Sequence, residues 1–182
     1  MIQHPYDGKI KEALKGLSVP APLTVDSLFS VMREHYLVDY GRDLELWRGP
    51  SPFPGLHANA LWLQRPDAGS DCVWVDPALT GDAATHSLSH EWGHQKMRHK
   101  ALVLSAAPPP AEPESYQFLS SDFLGGCLFG RARSHDAPQD PEYVQIEDEA
   151  ERFAFLLRRR AADKARDTRH HDPLVNRLHR SL

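Results

Sequence analysis

The segment at residues 90–94 reads His-Glu-Trp-Gly-His, and it constrains this chain more than any other stretch. In an α-helix, residues four apart lie on one face, so His90 and His94 can present ring nitrogens to one point. Glu91 lies about 100° further round the helix, within reach of the same point. Two imidazoles with a carboxylate beside them favour a metal ion with a water molecule close to it.

The surrounding residues favour a helix over about 83–100. Asp82 is a suitable N-terminal residue for it, and no proline interrupts the chain before Pro108. Leu88 and Trp92 fall on the face opposite the two histidines, so one side can pack while the other binds metal. The other interpretation is a structural helix with two solvent-exposed histidines, because 11 of the 182 residues are His.

A catalytic zinc site has three protein ligands, so a third ligand must lie elsewhere. The best region is a second amphipathic helix over residues 143–157, with apolar side chains at helical spacing. These side chains are Ile146, Ala150, Phe153, Ala154 and Leu157. Glu147 and Glu151 lie along one edge of this stripe, whereas Asp148 lies almost opposite it. Glu147 is the predicted ligand and Glu149 the alternative, although the helix macrodipole also favours such acids without any metal.

Residues 90–94, His99 and residues 147–157 (Glu-Asp-Glu-Ala-Glu-Arg-Phe-Ala-Phe-Leu-Leu) together resemble the ImmA/IrrE family of bacterial and phage metallopeptidases. The resemblance implies a small zincin-like α+β domain with about three strands. In such a domain a central helix carries the His-Glu-x-x-His motif, and a C-terminal helix supplies the third ligand. It further implies one zinc ion held by His90, His94 and Glu147, with Glu91 as the base.

The chain departs from the family pattern at Glu151, where the family usually has Asn, and in a long connection between His94 and Glu147. An acid at position 151 can still accept a hydrogen bond from a ligand histidine, as groups around metal sites commonly do. We therefore expect Glu151 to accept a hydrogen bond from a ligand histidine and so to orient it. If Glu151→Gln left zinc affinity and activity unchanged, that role would be wrong.

The resemblance implies a zinc-dependent endopeptidase that cleaves one protein, a helix-turn-helix repressor or antitoxin. Glu91 would take a proton from a water at the metal and pass it to the leaving amine. Tyr143, Tyr116 and His135 are the candidates for a further donor to the transition state. The alternative is a regulatory or toxin–antitoxin partner that keeps the zinc fold but acts by binding, with little proteolysis.

Two further histidines flank the motif. His86 precedes His90 by one turn, so on a continuous helix it lines the cleft, substitutes as a ligand or makes a hydrogen bond at the helix start. His99 points almost away from the metal face of that helix and is expected to be structural.

The remaining pattern predicts a single domain over residues 1–165 and a basic tail over 166–182. Helical periodicity covers residues 6–16 and 24–37, with Thr24 and Asp26 opening the second helix. Strand-like runs between proline and glycine clusters occupy residues 44–47, 56–63 and 72–75. The resemblance to zincins further implies that the edge of the second strand pairs with an extended peptide substrate.

Residues 105–142 contain several prolines and a Gly125-Gly126 pair, so they cannot form one regular element. They are expected to be a long loop. Its aromatic side chains, Tyr116, Phe118, Phe123 and Phe129, either contact a substrate or tie the loop to the core.

Composition fits one modest domain that folds without metal or disulfides, at 182 residues and 41% hydrophobic content. Cys72 and Cys127 form no Cys-x-x-Cys pair, and the first residues lack a signal segment, which predicts a cytoplasmic protein with free thiols. No apolar run approaches the length of a membrane span. The basic tail has no aromatics for base stacking, so direct nucleic-acid binding is not predicted.

Overall fold

The computed structural model describes residues 5–53, 58–65, 68–100, 129–130 and 141–170. These residues form four helices, namely α1 (Asp7–Leu14), α2 (Val25–Tyr40), α3 (Gly81–Lys96) and α4 (Pro141–His170). They also form four strands, namely β1 (Asp43–Trp47), β2 (Ala60–Gln64), β3 (Ser70–Val75) and β4 (Phe129–Gly130). The α+β class and the three strands before α3 are confirmed, while the two-residue β4 was not expected.

The helix α2 begins where the sequence predicts. Thr24 Oγ1 accepts a hydrogen bond from Ser27 N at 3.1 Å, and Ser27 Oγ accepts one from Thr24 N at 2.9 Å. This reciprocal pair satisfies two backbone donors that the first turn would otherwise leave open. The helix continues three residues beyond the predicted end, to Tyr40, and terminates at Gly41 in the left-handed conformation (φ 66°).

The strands lie side by side in the order β1-β3-β2-β4, with β1 parallel and β2 antiparallel to β3. Side chains alternate between the two faces of a sheet. One face carries Leu61, Leu63, Cys72 and Trp74, and the other joins the main core with Ala60, Trp62, Val73 and Val75. The helix α3 therefore packs on the second of these faces, the one that joins the main core.

The strand predicted over residues 56–63 is shorter and differently placed. It begins at Ala60, and residues 56–57 lie outside the described part of the chain. Leu63 and Gln64 pair with β4, so β2 lies between two strands and not at an open edge. The backbone expected to pair with a peptide substrate is therefore already paired with β4 at Leu63 and Gln64.

Among the described helices α3 is the most buried, with 11 of its 16 residues buried. Leu88 and Trp92 lie in the core, which confirms the packing face predicted for them. Gly93 faces α4 so closely that an added Cβ would lie 3.0 Å from both Cα and O of Ala150. The small residues at 93 and 150 therefore let α3 and α4 approach at the level of the motif.

The helix α4 packs against α3 with most of the predicted stripe, since Ala150, Phe153, Ala154 and Leu157 are fully buried. Ile146, at the start of the stripe, is only half-buried. It also contacts the first helix, because Arg152 Nε lies 2.8 Å from Asp7 Oδ1. It continues past residue 165 to His170. None of the described helices is both long and apolar enough to cross a membrane.

Several sequence predictions concern residues outside the described ranges. These predictions are the loop, at residues 105–128 and 131–140, and the basic tail from residue 171 onward. Tyr116, Cys127 and His135 lie among these residues. Cys72 is within the described part and lies buried in β3.

Candidate metal centre

The structure brings together the three residues predicted as metal ligands. Nε2 of His94 lies 3.0 Å from Nε2 of His90. Glu147 reaches both rings, with Oε2 3.2 Å from His90 Nε2 and Oε1 3.5 Å from His94 Nε2. The donor atoms of all three residues lie within 4.8 Å of one another. Both histidines are buried and Glu147 is mostly covered, so the cluster lies beneath the surface.

These donors fit a metal ion in chemistry and in spacing. Tetrahedral ligands about 2.0–2.1 Å from zinc are separated from one another by about 3.3 Å. The observed separations of 3.0, 3.2 and 3.5 Å lie around that value. Two imidazole nitrogens and a carboxylate are also the donor types that divalent transition metals accept. His90, His94 and Glu147 could therefore hold a metal ion between α3 and α4.

The packing of α4 explains why Glu147 is the residue that reaches this cluster. Glu147 lies one helical turn before Ala150, the residue that contacts Gly93. Side chains three apart on a helix lie on nearly the same face. The close contact at Gly93 therefore sets how near the Glu147 carboxylate comes to the two histidines. Asp148 is exposed, as the sequence predicts.

Glu91 is almost fully buried and is fixed by the sheet. Its Oε2 accepts a hydrogen bond from the backbone N–H of Trp62 at 2.9 Å. At the start of β2 the backbone of Asn59 faces β3, because Asn59 O accepts a hydrogen bond from Asp76 N. Backbone groups alternate in direction along a strand, so the N–H of Trp62, three residues later, points away from β3. The carboxylate of Glu91 is thus oriented by a backbone donor of β2, a contact that was not predicted.

A small pocket opens beside this carboxylate. Its volume is about 30 Å³, and it is lined by Asn59, Ala60, His86, Ser87, His90 and Glu91. A volume of this size accommodates a water molecule with polar partners on several sides. The pocket therefore places a water-sized space between the start of β2, Glu91 and one of the candidate ligands.

Glu151 lies near the other ring nitrogen of His90. Its Oε2 is 3.5 Å from His90 Nδ1 and 3.1 Å from His86 Nε2. Arg158 Nη1 in turn lies 3.4 Å from His86 Nδ1. Glu151 therefore lies beside a candidate ligand, as expected, but its hydrogen bond is with His86. His86 lines the pocket and is not part of the three-residue cluster.

The prediction that His99 points away from the site is wrong. The helix α3 ends at Lys96, earlier than predicted, and Arg98 adopts a left-handed conformation (φ 55°) that reverses the chain. The N–H of His99 then donates to His94 O at 3.0 Å. Its ring comes back onto α3, where His99 Nδ1 lies 3.0 Å from His94 Nδ1.

Glu149, the alternative third ligand, lies on the outer side of this histidine pair. Its Oε2 is 3.1 Å from His99 Nε2, and Gln145 Nε2 donates to its Oε1 at 2.9 Å. Burial raises the pKa of Glu149, but hydrogen bonds from Gln145, Lys9 and His99 outweigh burial, so its pKa lies below the ordinary value. Glu149 therefore supports a candidate ligand and does not join the cluster.

Of the three candidates for a further donor, Tyr143 alone lies in the described part of the chain. It is half-buried on α4, one turn before Glu147, and it does not line the pocket. Tyr116 and His135 lie outside the described residues.

The geometry defines a class, namely a small α+β domain with a buried His-His-Glu cluster that could hold a metal ion. Comparison with known proteins finds no family model, no curated protein and no solved structure that matches this chain.

Proposed function

We propose that this chain is a zinc-dependent endopeptidase of the ImmA/IrrE kind, with His90, His94 and Glu147 as zinc ligands. The proposal depends chiefly on one observation, the convergence of these donors from α3 and α4 next to Glu91 and a water-sized pocket. Zinc bound at such a site supplies a Lewis acid that activates water for attack on a carbonyl.

Glu91 is the residue that moves the proton in this proposal. It lines the pocket next to His90, and its carboxylate is oriented by the N–H of Trp62. A general base must lie within hydrogen-bond reach of the proton that it takes, and a water bound in this pocket would lie beside Glu91. The same carboxylate then returns the proton to the amine that leaves.

The substrate class follows from the resemblance and is a helix-turn-helix repressor or antitoxin. The geometry of β2 limits how such a chain approaches. The N–H of Trp62 is taken by Glu91, and Leu63 and Gln64 pair with β4. The substrate strand is therefore expected to enter at the start of β2, beside Asn59 and Ala60, where the pocket opens.

A second candidate is a regulatory or toxin–antitoxin partner that keeps the metal and acts by binding, with little proteolysis. The pairing of Leu63 and Gln64 with β4 favours it, because this pairing leaves less of β2 open to a substrate strand. The two candidates share the metal site and differ in whether a partner protein is cut.

The metal site is tested by elemental mass spectrometry on protein purified without a metal-binding tag. We expect one zinc per chain in the wild type and its loss in His94→Ala and Glu147→Ala. Asp148→Ala is the matched control, since Asp148 neighbours Glu147 on α4 but is exposed, and it should retain zinc. Absence of zinc from the wild type after zinc supplementation, or its retention in Glu147→Ala, would contradict the proposed ligand set.

Proteolysis is tested by labelling new protein N-termini in cell extract treated with wild type or with Glu91→Gln. Loss of a general base typically slows a reaction about 10²–10⁴-fold. We expect new termini with the wild type, none with Glu91→Gln, and equal zinc in both proteins. Equal cleavage by both would exclude Glu91 as the base. Full zinc content without any cleavage by the wild type would favour the binding function.

A further inference from the structure

We infer that His99 and Glu149 form a positioning relay that fixes which ring nitrogen of His94 carries the proton. The inference depends on the proposed metal site, since His94 is one of its ligands. The relay is a continuous line of contacts. Lys9 Nζ lies 2.5 Å from Glu149 Oε2, Glu149 Oε2 lies 3.1 Å from His99 Nε2, and His99 Nδ1 lies 3.0 Å from His94 Nδ1.

The outer end of the line sets the direction of every hydrogen bond in it. Glu149 receives the ammonium group of Lys9 on Oε2 and the side-chain amide of Gln145 on Oε1. An ionised carboxylate only accepts hydrogen bonds. The ring nitrogen of His99 that faces Glu149 must therefore be the donor.

The remaining assignments follow from the chemistry of neutral imidazole, which has one N–H and one acceptor nitrogen. Since Nε2 of His99 donates to Glu149, its Nδ1 must accept. Nδ1 of His94 must then carry a proton and donate it to His99. This leaves the lone pair of His94 on Nε2, the atom that faces His90 and Glu147.

The opposite tautomer of His94 would place an N–H group inside the cluster, where a metal ion needs a lone pair. Ligand histidines usually have their other ring nitrogen fixed by a carboxylate or a carbonyl group. Here a second histidine stands between the ligand and the carboxylate. Glu149 therefore acts on the ligand through His99, across two hydrogen bonds.

The backbone holds the intermediate ring in place. The N–H of His99 donates to His94 O at 3.0 Å, and the N–H of Arg98 donates to Gln95 O at 3.1 Å. This pair of bonds is a Schellman motif, which normally has glycine at the left-handed position that Arg98 occupies here. His99 and Glu149 are both buried, with 8% and 2% of their surface exposed. The relay is thus enclosed and anchored at the end of α3.

The test compares the zinc affinity of three variants, measured by competition with a chromophoric chelator. His99→Phe keeps an aromatic ring but removes both nitrogens, and we expect zinc to bind about 10–100-fold more weakly. His99→Gln restores an acceptor oxygen and a donor nitrogen side by side, and should recover most of that loss. His35→Phe is the matched control and should leave the affinity unchanged. His35 is on α2 and packs against Trp92, on the side of α3 that faces the core and not the cluster.

If His99→Phe binds zinc as tightly as the wild type, the relay is overturned. It is also overturned if His99→Gln binds as weakly as His99→Phe, since ring volume and not proton order would then be the cause. Long-range proton–nitrogen NMR correlations in metal-free wild type provide a reading that requires no zinc. A proton on His94 Nδ1 supports the relay, whereas a proton on Nε2 refutes it, even if the proposed zinc site itself has failed.

Discussion

Replacing Gly93 by alanine tests whether the close contact of α3 and α4 sets the geometry of the candidate metal centre. An added Cβ would lie 3.0 Å from Ala150 Cα and O and 3.3 Å from Phe153 Cβ, whereas ordinary contacts begin at 3.4 Å. The crowded atoms at Ala150 are backbone and cannot rotate away. The two helices must therefore separate by roughly 0.4 Å or more, which is the difference between these distances.

This separation should affect both stability and metal binding. Overpacking of this kind costs about 1–3 kcal/mol, and the better helix propensity of alanine returns about 1 kcal/mol. We therefore expect Gly93→Ala to lose up to about 2 kcal/mol of unfolding free energy in urea denaturation. Because metal sites tolerate ligand shifts of only about 0.2 Å, moving Glu147 with α4 should also weaken zinc binding by about tenfold or more.

Gly8→Ala is the matched control, because it is also a helical Gly→Ala change but has nothing within 4 Å of the added Cβ. It should gain about 0.5–1 kcal/mol of stability and leave zinc affinity unchanged. The reasoning is refuted if Gly93→Ala gains stability as Gly8→Ala does and keeps full zinc affinity.

Two further predictions concern charge and backbone strain. A hydrogen bond from Arg33 and a weaker effect of the N–H of Leu44 lower the pKa of Asp43 to about 2. The ionised Asp43 therefore contributes its full stabilisation above its ordinary pKa of 3.8. This contribution disappears as the pH falls through about 2. In Arg33→Gln an NMR titration of the Asp43 carboxyl should give a midpoint between these two values, and a midpoint still at 2 would contradict the cause assigned here. Arg98 has φ 55°, so in urea denaturation Arg98→Gly should raise the free energy of unfolding by up to about 1 kcal/mol. The β-branched Arg98→Val should lower it by about 1–2 kcal/mol. The opposite order would show that the turn after α3 is not strained.

The elements that sequence predicts well are those with strong local signals. The cap at Thr24 and the core stripe ending at Leu157 depend on neighbouring residues along one helix. The edge position of Glu147 follows from the same helical period, and so does the exposed position of Asp148. Local periodicity therefore predicted the buried stripe of α4 and Glu147 at its edge, while the full set of three donors was implied by the resemblance.

The elements that sequence predicts poorly depend on contacts between distant segments or on unusual backbone. Nothing local indicates that Trp62 donates to Glu91, since the two residues meet only after β2 is placed under α3. The end of α3 lacks the glycine that usually marks such a turn, because Arg98 takes the left-handed position. Because the predicted helix continued to residue 100, the direction predicted for the His99 side chain was wrong. The basic run at the end of α3 was the one available signal of an earlier stop.

The packing of α1 on α4 has a consequence for how the chain folds as it is synthesised. Arg160 donates to Leu14 O at 2.7 Å and Lys164 to Val19 O at 3.0 Å, so segments about 145 residues apart close on each other. Between them α3 buries polar side chains that need α4 as a neighbour. A growing chain emerges from the ribosome N-terminus first, so α3 must wait for α4 before its core can be completed. The core of the domain is therefore completed only after α4 has emerged.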